Sequence, residues 1–231
     1  MGFCPILNVQ RCISIVLYFY RENYVNREHK IDYMKATNWI VSKMHPIVPS
    51  DKRLYRKQLC EYKKQMRNHI VTSRFNTSTW QENERYRTSK ANVGCIYCSP
   101  DPIATVIPME SIMFVLEMNN DTNKIMGIGM VRNRAIVSKI SVYSNGNYNR
   151  YVYIGKTRIN RTEMSEDEER IMKVFDILCF SGNTHMKRGQ GLKSFPTEML
   201  FKMSARLDMV SYIGEMFKKR IRPTRPETHN N

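Results

Sequence analysis

The sequence predicts an α+β fold in which a mainly β-stranded central region lies between two helical regions. Runs of β-branched and apolar residues are concentrated between about residues 68 and 159. Before and after that region, apolar residues recur at helical spacing. The hydrophobic fraction of 42% is enough to build a core. We therefore expect a basic helical N-terminal segment at 1–67, a β-rich domain with C-terminal helices at 68–217, and a flexible basic tail at 218–231.

The charge of the chain is strongly one-sided. Lys and Arg number 37 against 21 Asp and Glu, which gives a formal net charge of +16. The positive electrostatic potential of such a chain attracts polyanions and repels other cations. It therefore predicts nucleic acid, either RNA or DNA, as the partner. The alternative is a basic surface that only keeps the chain in solution.

Cysteine usage and hydropathy predict an intracellular protein. The six cysteines are scattered and do not form the framework of a small secreted protein. The apolar stretch at 12–20 is too short to span a bilayer, so we expect no membrane partner and a buried strand or short helix there. Alanine is scarce and asparagine abundant, which is typical of AT-rich genomes such as those of many large DNA viruses. The expected compartments are therefore the cytoplasm, the nucleus, or a viral factory or virion.

Two helices are predicted in the N-terminal segment. The first covers residues 31–44 and ends before Pro46. The second covers residues 52–67 and has seven basic residues against one acid, Glu61. This basic side is either a solvated face or a face that contacts phosphates, and the missing acids favour phosphate contact. The predicted phosphate ligands on this helix are Arg56, Lys63 and Lys64.

The central region is predicted to hold most of the strands. Residues 69–76 form a β-branched run, and residues 77–87 are predicted to be a helix capped by Thr77 or Ser78. A short apolar run at 93–98 precedes a hairpin at 111–131, whose loop is rich in Asn and Asp. Gly127 and Gly129 alternate in its second strand, as glycines do where another group approaches closely. Further strands are predicted at 135–143 and 151–159, joined by a turn.

The C-terminal region is predicted to be helical. Ser165 and Glu168 form a capping box, and a buried stripe of Ile171, Val174 or Phe175, and Leu178 follows it. Pro196 is predicted to open one last helix of about five turns. Its apolar side is formed by Leu200, Met203, Leu207, Val210, Ile213 and Phe217.

The loop at 185–193 between these helices contains most of the candidate phosphate-binding residues outside the N-terminal segment. Two glycines free the backbone to present N–H groups, and basic side chains surround them. This pattern suits a phosphate, although it does not match the spacing of a Walker A loop, and a plain solvated turn is the alternative. The predicted phosphate ligands are His185, Lys187, Arg188, Gly189, Gly191 and Lys193, together with Arg158 on a strand.

No set of residues in the sequence has the pattern of a catalytic or metal centre. Cys95 and Cys98 form a CxxC pair, but a zinc site needs four ligands. A redox pair and two strand cysteines on the same side of a bend are the other interpretations. Glu117 is either catalytic or a structural hydrogen-bond partner. We therefore expect no cofactor and no metal, and a binding protein rather than an enzyme.

The order of elements in residues 70–159 resembles the PUA-like superfamily, and within it the YTH and EVE domains. Residues 70–76 look like the first strand, 77–87 the following helix, and 112–131 the central hairpin. The segment Gly-Cys-Ile-Tyr-Cys-Ser-Pro resembles the second strand, which carries Trp-Cys-Ser in YTH domains. The resemblance implies a twisted β-barrel core with flanking helices and a pocket that holds a modified or flipped base. The pocket residues are Thr72, Ser73, Trp80, Tyr97, Cys98, Ser99 and Asn119.

The function expected from these observations is nucleic-acid binding, with a modified or flipped base in the pocket. A structural virion or genome-packaging protein that binds nucleic acid without reading bases is the first alternative. A nucleic-acid-processing enzyme is the second.

Overall fold

The fold is taken from a computed structural model, which describes residues 51–136, 140–181 and 185–221. The predicted helix at 31–44, the apolar stretch at 12–20 and the end of the basic tail lie outside the described residues. The described part is a mixed α+β structure, as the sequence predicts.

The described part of the chain contains five α-helices and seven strands. The helices are α1 (Lys52–Gln65), α2 (Thr77–Ser89), α3 (Glu166–Phe180), α4 (Thr197–Ser204) and α5 (Met209–Ile221). The strands are β1 (Asn68–Phe75), β2 (Cys95–Ser99), β3 (Ile112–Asn119), β4 (Lys124–Arg132), β5 (Tyr151–Gly155), β6 (Thr157–Asn160) and β7 (Leu192–Ser194).

The main sheet has five strands in the order β6-β4-β3-β1-β7. The pair β1 and β3 is parallel, because the chain between them crosses over through α2 and β2. All other pairs in this sheet are antiparallel, and β3 and β4 form the predicted hairpin. The strands β2 and β5 pair separately as a two-stranded ribbon.

Each face of the main sheet buries its own hydrophobic core. Ile70 and Phe114 lie on one face and pack against α3, α4 and α5. Val71 and Val115, the next residue along each strand, lie on the other face and pack against the ribbon. Successive side chains of a strand point to opposite faces, so the sequence of a strand that is buried on both faces is a continuous apolar run. The sheet is therefore the middle layer between a helical layer and a β-ribbon layer.

One extended segment belongs to both sheets. The sequence predicts a single strand at 151–159, but the chain bends at Lys156. The part before the bend, β5, pairs with β2, and the part after it, β6, pairs with β4. The hydrogen bonds of the described strands form these two separate sheets and do not close into a barrel. The barrel implied by the resemblance is therefore not confirmed, whereas the α+β class is.

One helix prediction is confirmed and two are corrected. The capping box of α3 is present, since the Ser165 hydroxyl accepts from the Glu168 N–H and the Glu168 carboxylate accepts from the Ser165 N–H. The cap of α2 is Asn76 rather than Thr77 or Ser78, because its side chain accepts from the Thr79 N–H. The predicted last helix is two helices, α4 and α5.

A cap explains where the predicted last helix breaks. The carboxylate of Asp208 accepts hydrogen bonds from the backbone N–H groups of Val210 and Ser211, at the start of α5. An aspartate in this position satisfies the free donors of a helix N-terminus, so the backbone begins a new helix there. The apolar spacing continues across the break because both helices face the same core.

The predicted strand at 135–143 is not found in the parts of it that the structure describes, residues 135–136 and 140–143, apart from one bridge. Ile136 forms one isolated bridge with Val152, and residues 140–143 have no regular structure. The side chain of Asn149 instead accepts from the N–H groups of Val142 and Tyr143. These two N–H groups are therefore bonded to a side chain and not to a neighbouring strand.

An ion cluster around Arg161 joins the main sheet to α3. The guanidinium of Arg161 donates to Glu169 at 2.6 and 2.8 Å and to Asp176 at 2.8 and 3.0 Å. It also donates to the backbone oxygen of Ile125 at the start of β4. Only 6% of the Arg161 side chain is exposed, against 20% of Asp176 and 30% of Glu169, so the arginine is desolvated and the carboxylates are mostly buried. A desolvated pair is expensive to break, because the partner left behind stays buried and charged.

We predict that Arg161→Ala destabilises the protein by about 3 kcal/mol or more, since it leaves two carboxylates without their cation. Urea denaturation followed by circular dichroism measures this change. Arg170→Ala is the matched control, because Arg170 pairs with Asp167 and Glu166 at the surface of α3. Exposed pairs contribute about 0–1 kcal/mol, so equal losses in the two variants would contradict the prediction.

Candidate functional site

A buried carboxylate lies between the two sheets. Glu117 is on β3, on the face that packs against the ribbon, and its side chain has no exposed surface. The guanidinium of Arg158, on β6, donates to both carboxylate oxygens at 2.7–3.0 Å. The hydroxyl of Tyr97, on β2 of the ribbon, donates to the same carboxylate at 2.7 Å. We call these three residues the Glu117 cluster.

The cluster shifts the pKa values of Tyr97 and Arg158. Burial and then the Glu117 charge raise the pKa of Tyr97 well above its usual value, so this side chain is a neutral hydrogen-bond donor. Burial alone would lower the pKa of Arg158, but the Glu117 carboxylate outweighs it and the pKa is raised. Arg158 is therefore a permanent cation whose first partner is Glu117. A bidentate pair of this kind combines strength with a fixed orientation.

The backbone of β4 is shaped to make room for the cluster. A β-bulge interrupts the hairpin at this point, because Leu116 faces Ile128 whereas Met118 faces Ile125. A Cβ atom on Gly127 would lie 2.7 Å from Nη2 of Arg158 and 2.8 Å from the Glu117 carboxylate. A Cβ atom on Gly129 would lie 1.9 Å from the Tyr97 hydroxyl. The close approach predicted for these glycines is confirmed, and the approaching groups belong to the protein itself.

Trp80 lies beside the cluster and is contacted by two arginines. The guanidinium carbons of Arg158 and Arg87 each lie 5.5 Å from the centre of its ring. The ring also meets Phe75 edge to face, with 5.4 Å between centroids. Such cation–π contacts occupy the ring surface that a base would use for stacking.

The predicted base pocket is only partly assembled. Ser73 and Asn119 lie on the same face of the main sheet as Glu117, and Tyr97 and Ser99 point toward that face from β2. Thr72 is on the opposite face of β1 by alternation, and its hydroxyl contacts the backbone oxygen of Lys193 at 3.3 Å.

The part of the pocket that is assembled is closed to solvent. Ser73, Tyr97, Ser99 and Asn119 are at most 4% exposed. The Asn119 side chain accepts from the N–H groups of the following turn. The residues that the resemblance assigns to a base are therefore packed against one another or hydrogen-bonded within the protein.

The two cysteines of the CxxC pair point to opposite sides of β2. They are three positions apart on a regular strand, so their side chains diverge. The Cys95 thiol faces the backbone oxygens of Met130 and Thr157. Burial raises the pKa of both thiols to about 12, which makes them poor nucleophiles. Within the described residues, no group of three or more His, Cys, Asp or Glu is placed to hold a metal ion.

Helix α1 presents a basic surface that points away from the body of the protein. Tyr55 and Tyr62 contact Phe201 of α4 at 5.6 and 5.4 Å between ring centroids, and Tyr55 donates to Glu198. Because a helix turns about 100° per residue, Leu59 and Met66 fall on this same side. No residue of the helix is buried. The cations lie on the outer side and one flank, and they are Lys52, Arg53, Arg56, Lys57, Lys63, Lys64 and, just past the helix, Arg67.

The loop at 185–193 is attached to the other end of the sheet. The Asn120 side chain donates to the backbone oxygen of Lys187, and Arg74 donates to that of Met186. Gly189 and Gly191 adopt φ angles of +104° and +64°, which confirms that the loop needs glycine. Gly191 is also required for space, since a Cβ there would lie 2.0 Å from the Ser99 hydroxyl. The side chains of Arg188 and Lys193 are exposed, and those of His185 and Lys187 are half-buried.

The predicted phosphate ligands are thus divided into separate surfaces. Helix α1 ends just before the first residue of β1. The loop instead contacts Arg74, which lies near the last residue of β1, at the opposite end of the strand. Arg158 belongs to neither surface and is paired with Glu117. The sequence marked Glu117, Gly127 and Gly129 separately, but not that the two glycines make room for the Glu117 cluster, and it did not single out Arg87. The alternating glycines opposite an acid were the available signal.

Comparisons with known proteins give no match for this chain. No protein family matches it, and neither a curated protein nor a solved structure does. In the described ranges, no helix is long and apolar enough to cross a membrane.

We predict that Gly129→Ala destabilises the protein by about 1–3 kcal/mol, because the added methyl group collides with the Tyr97 hydroxyl. The free energy of unfolding in urea measures the effect. Gly146→Ala serves as the control, since a Cβ there meets no atom within 4 Å and the backbone does not require glycine. A Gly129→Ala variant as stable as the parent would show that the cluster does not constrain β4.

Proposed function

We propose that this protein binds RNA or DNA through the phosphate backbone, using the outer surface of α1 and the loop at 185–193. The observation that carries the proposal is the state of the α1 cations. Each of the seven is exposed, and none forms an ion pair with an acid in the described ranges. Lys202 and Lys218, by contrast, are bound to neighbouring glutamates.

Exposed cations that form no ion pair are well suited to bind phosphate groups. They lose no internal partner when a phosphate approaches, and the counterions that they displace from the nucleic acid make binding favourable. Phosphate contacts position a protein on nucleic acid without reading its sequence. We therefore expect weak sequence preference, which fits a genome-packaging or structural role as well as a general binding role.

Base reading is the less favoured form of this function. It would need Tyr97, Ser99 and Ser73 to become accessible, and all three are buried around the Glu117 cluster. Opening that region would separate a hydrogen-bonded ion pair from its partners, which is costly. We therefore assign binding to phosphates rather than to a base pocket.

We also propose that the two sheets together form a half-open barrel of the PUA-like kind. In support, β5 and β6 are nearly continuous and join the ribbon to one edge of the main sheet. At the other edge, Gly191 beside β7 approaches Ser99 at the end of β2. A barrel of this kind encloses the core around Tyr97. Nucleic-acid binding would place the protein in an intracellular compartment or a virion that holds its partner.

We predict that neutralising three α1 cations lowers the salt dependence of binding. Replacing Arg56, Lys63 and Lys64 by Gln should reduce the slope of log K against log salt by about two to three, since each lost phosphate contact contributes about 0.7–0.9. Filter binding to a single-stranded and a duplex oligonucleotide at several salt concentrations measures the slope.

The matched control removes the same charge from cations that have acidic partners. Arg170, Lys202 and Lys218 are ion-paired, so their replacement by Gln should leave the slope within about one unit of the parent. If both triple variants change the slope equally, net charge rather than the α1 surface governs binding. A parent protein with no salt dependence would contradict the proposed function itself.

The loop makes a separate prediction that distinguishes backbone shape from charge. Gly189 has φ of +104°, which disfavours a side chain, and a Cβ there would meet nothing closer than 3.8 Å, so Gly189→Val is expected to act mainly through the backbone. We expect Gly189→Val and Arg188→Ala each to weaken oligonucleotide binding several-fold, about equally across sequences. A folded Gly189→Val variant that binds like the parent, beside a weakened Arg188→Ala variant, would exclude a backbone contribution.

A further inference from the structure

Two arginines contact the ring of Trp80, and within the residues that the structure describes only one of them, Arg158, is paired with a carboxylate. Arg158 uses Nε and Nη2 to bind Glu117, and its Nη1 donates to no residue in the described ranges. Arg87 donates from Nε to the neutral side chain of Asn83, and it forms no ion pair among the residues described. One unneutralised positive charge therefore remains beside the indole ring.

This place is built differently from the basic surfaces of α1 and the loop. The side chain of Arg158 is only 10% exposed, and its orientation is fixed by the bidentate contact with Glu117. Arg87 is held by Asn83, which is itself fully buried and donates to Ile96 and Tyr143. The free nitrogens of both guanidinium groups thus belong to side chains that the fold positions before any ligand arrives.

We propose that the Trp80 site, formed by Trp80, Arg87 and Arg158, binds a single phosphate group. A phosphate accepts hydrogen bonds from guanidinium nitrogens in a planar geometry and neutralises the surplus charge. The indole supplies an apolar wall that lowers the local dielectric and strengthens both contacts. The group is either a phosphodiester of a nucleic acid or a free phosphate monoester. The site is separate from α1 and the loop, so it does not depend on the function proposed above.

The fluorescence of Trp80 reports directly on this site. The chain has two tryptophans, so Trp39→Phe leaves Trp80 as the single emitter. This full-length variant is titrated with inorganic phosphate, with a nucleoside monophosphate and with a thymidine hexanucleotide, and oligonucleotide binding is measured in parallel by filter retention. We expect saturable quenching. Arg87→Gln should weaken it roughly tenfold, because a charge-assisted hydrogen bond is lost.

Two further variants separate the site from general charge and from misfolding. Arg85→Gln removes an exposed cation from the same helix and should leave the midpoint within about twofold of the parent. Arg87→Lys keeps the charge but not the planar guanidinium, so it should recover only part of the affinity lost in Arg87→Gln. Full recovery by lysine would contradict the guanidinium geometry proposed for the site. Equal weakening by Arg85→Gln and Arg87→Gln would overturn the proposal.

The titrants identify the source of the phosphate. Quenching by the hexanucleotide alone assigns the site to a phosphodiester chain, and quenching by all three assigns it to any phosphate group. Absence of quenching, with the hexanucleotide still retained on filters, overturns the Trp80 site and leaves the proposed function standing. Quenching without filter retention supports the Trp80 site and contradicts the proposed function.

Discussion

The carboxylate of Glu117 is the charge around which the sheets are arranged. A charged group in the interior is tolerated only when hydrogen bonds and an opposite charge replace the water that it has lost. Here those partners come from different elements, since Arg158 is on β6 and Tyr97 is on the ribbon. The bulge in the hairpin and the glycines of β4 provide the space. A single buried charge therefore fixes the relation between the main sheet and the ribbon.

The sequence predicts the elements of this fold whose signals are local. The β-branched run of β1, the hairpin turn and the capping box at Ser165 each lie within a few neighbouring residues, and each is found where expected. The break between α4 and α5 was missed because the apolar spacing runs through it unchanged. What ends the pattern is the side chain of Asp208, which caps the second helix.

The candidate sites were harder to predict, because their contacts join distant parts of the chain. Glu117 is 20 residues from Tyr97 and 41 from Arg158, so no spacing rule relates them. The pocket implied by the resemblance included neighbours such as Tyr97 and Cys98, which strand alternation sends to opposite sides. The basic character of α1 and of the loop, by contrast, was readable from composition, since charge needs no partner to be recognised.

The position of β1 has a consequence for how the chain folds during synthesis. Its neighbours are β3, which ends at residue 119, and β7, which begins only at residue 192. While the protein is being made, the edge of β1 that β7 later covers stays unpaired for more than a hundred residues of elongation. Unpaired edges of apolar strands invite association between chains. Contacts so far apart in sequence also form slowly, so completion of the sheet must wait for the C-terminal third of the polypeptide.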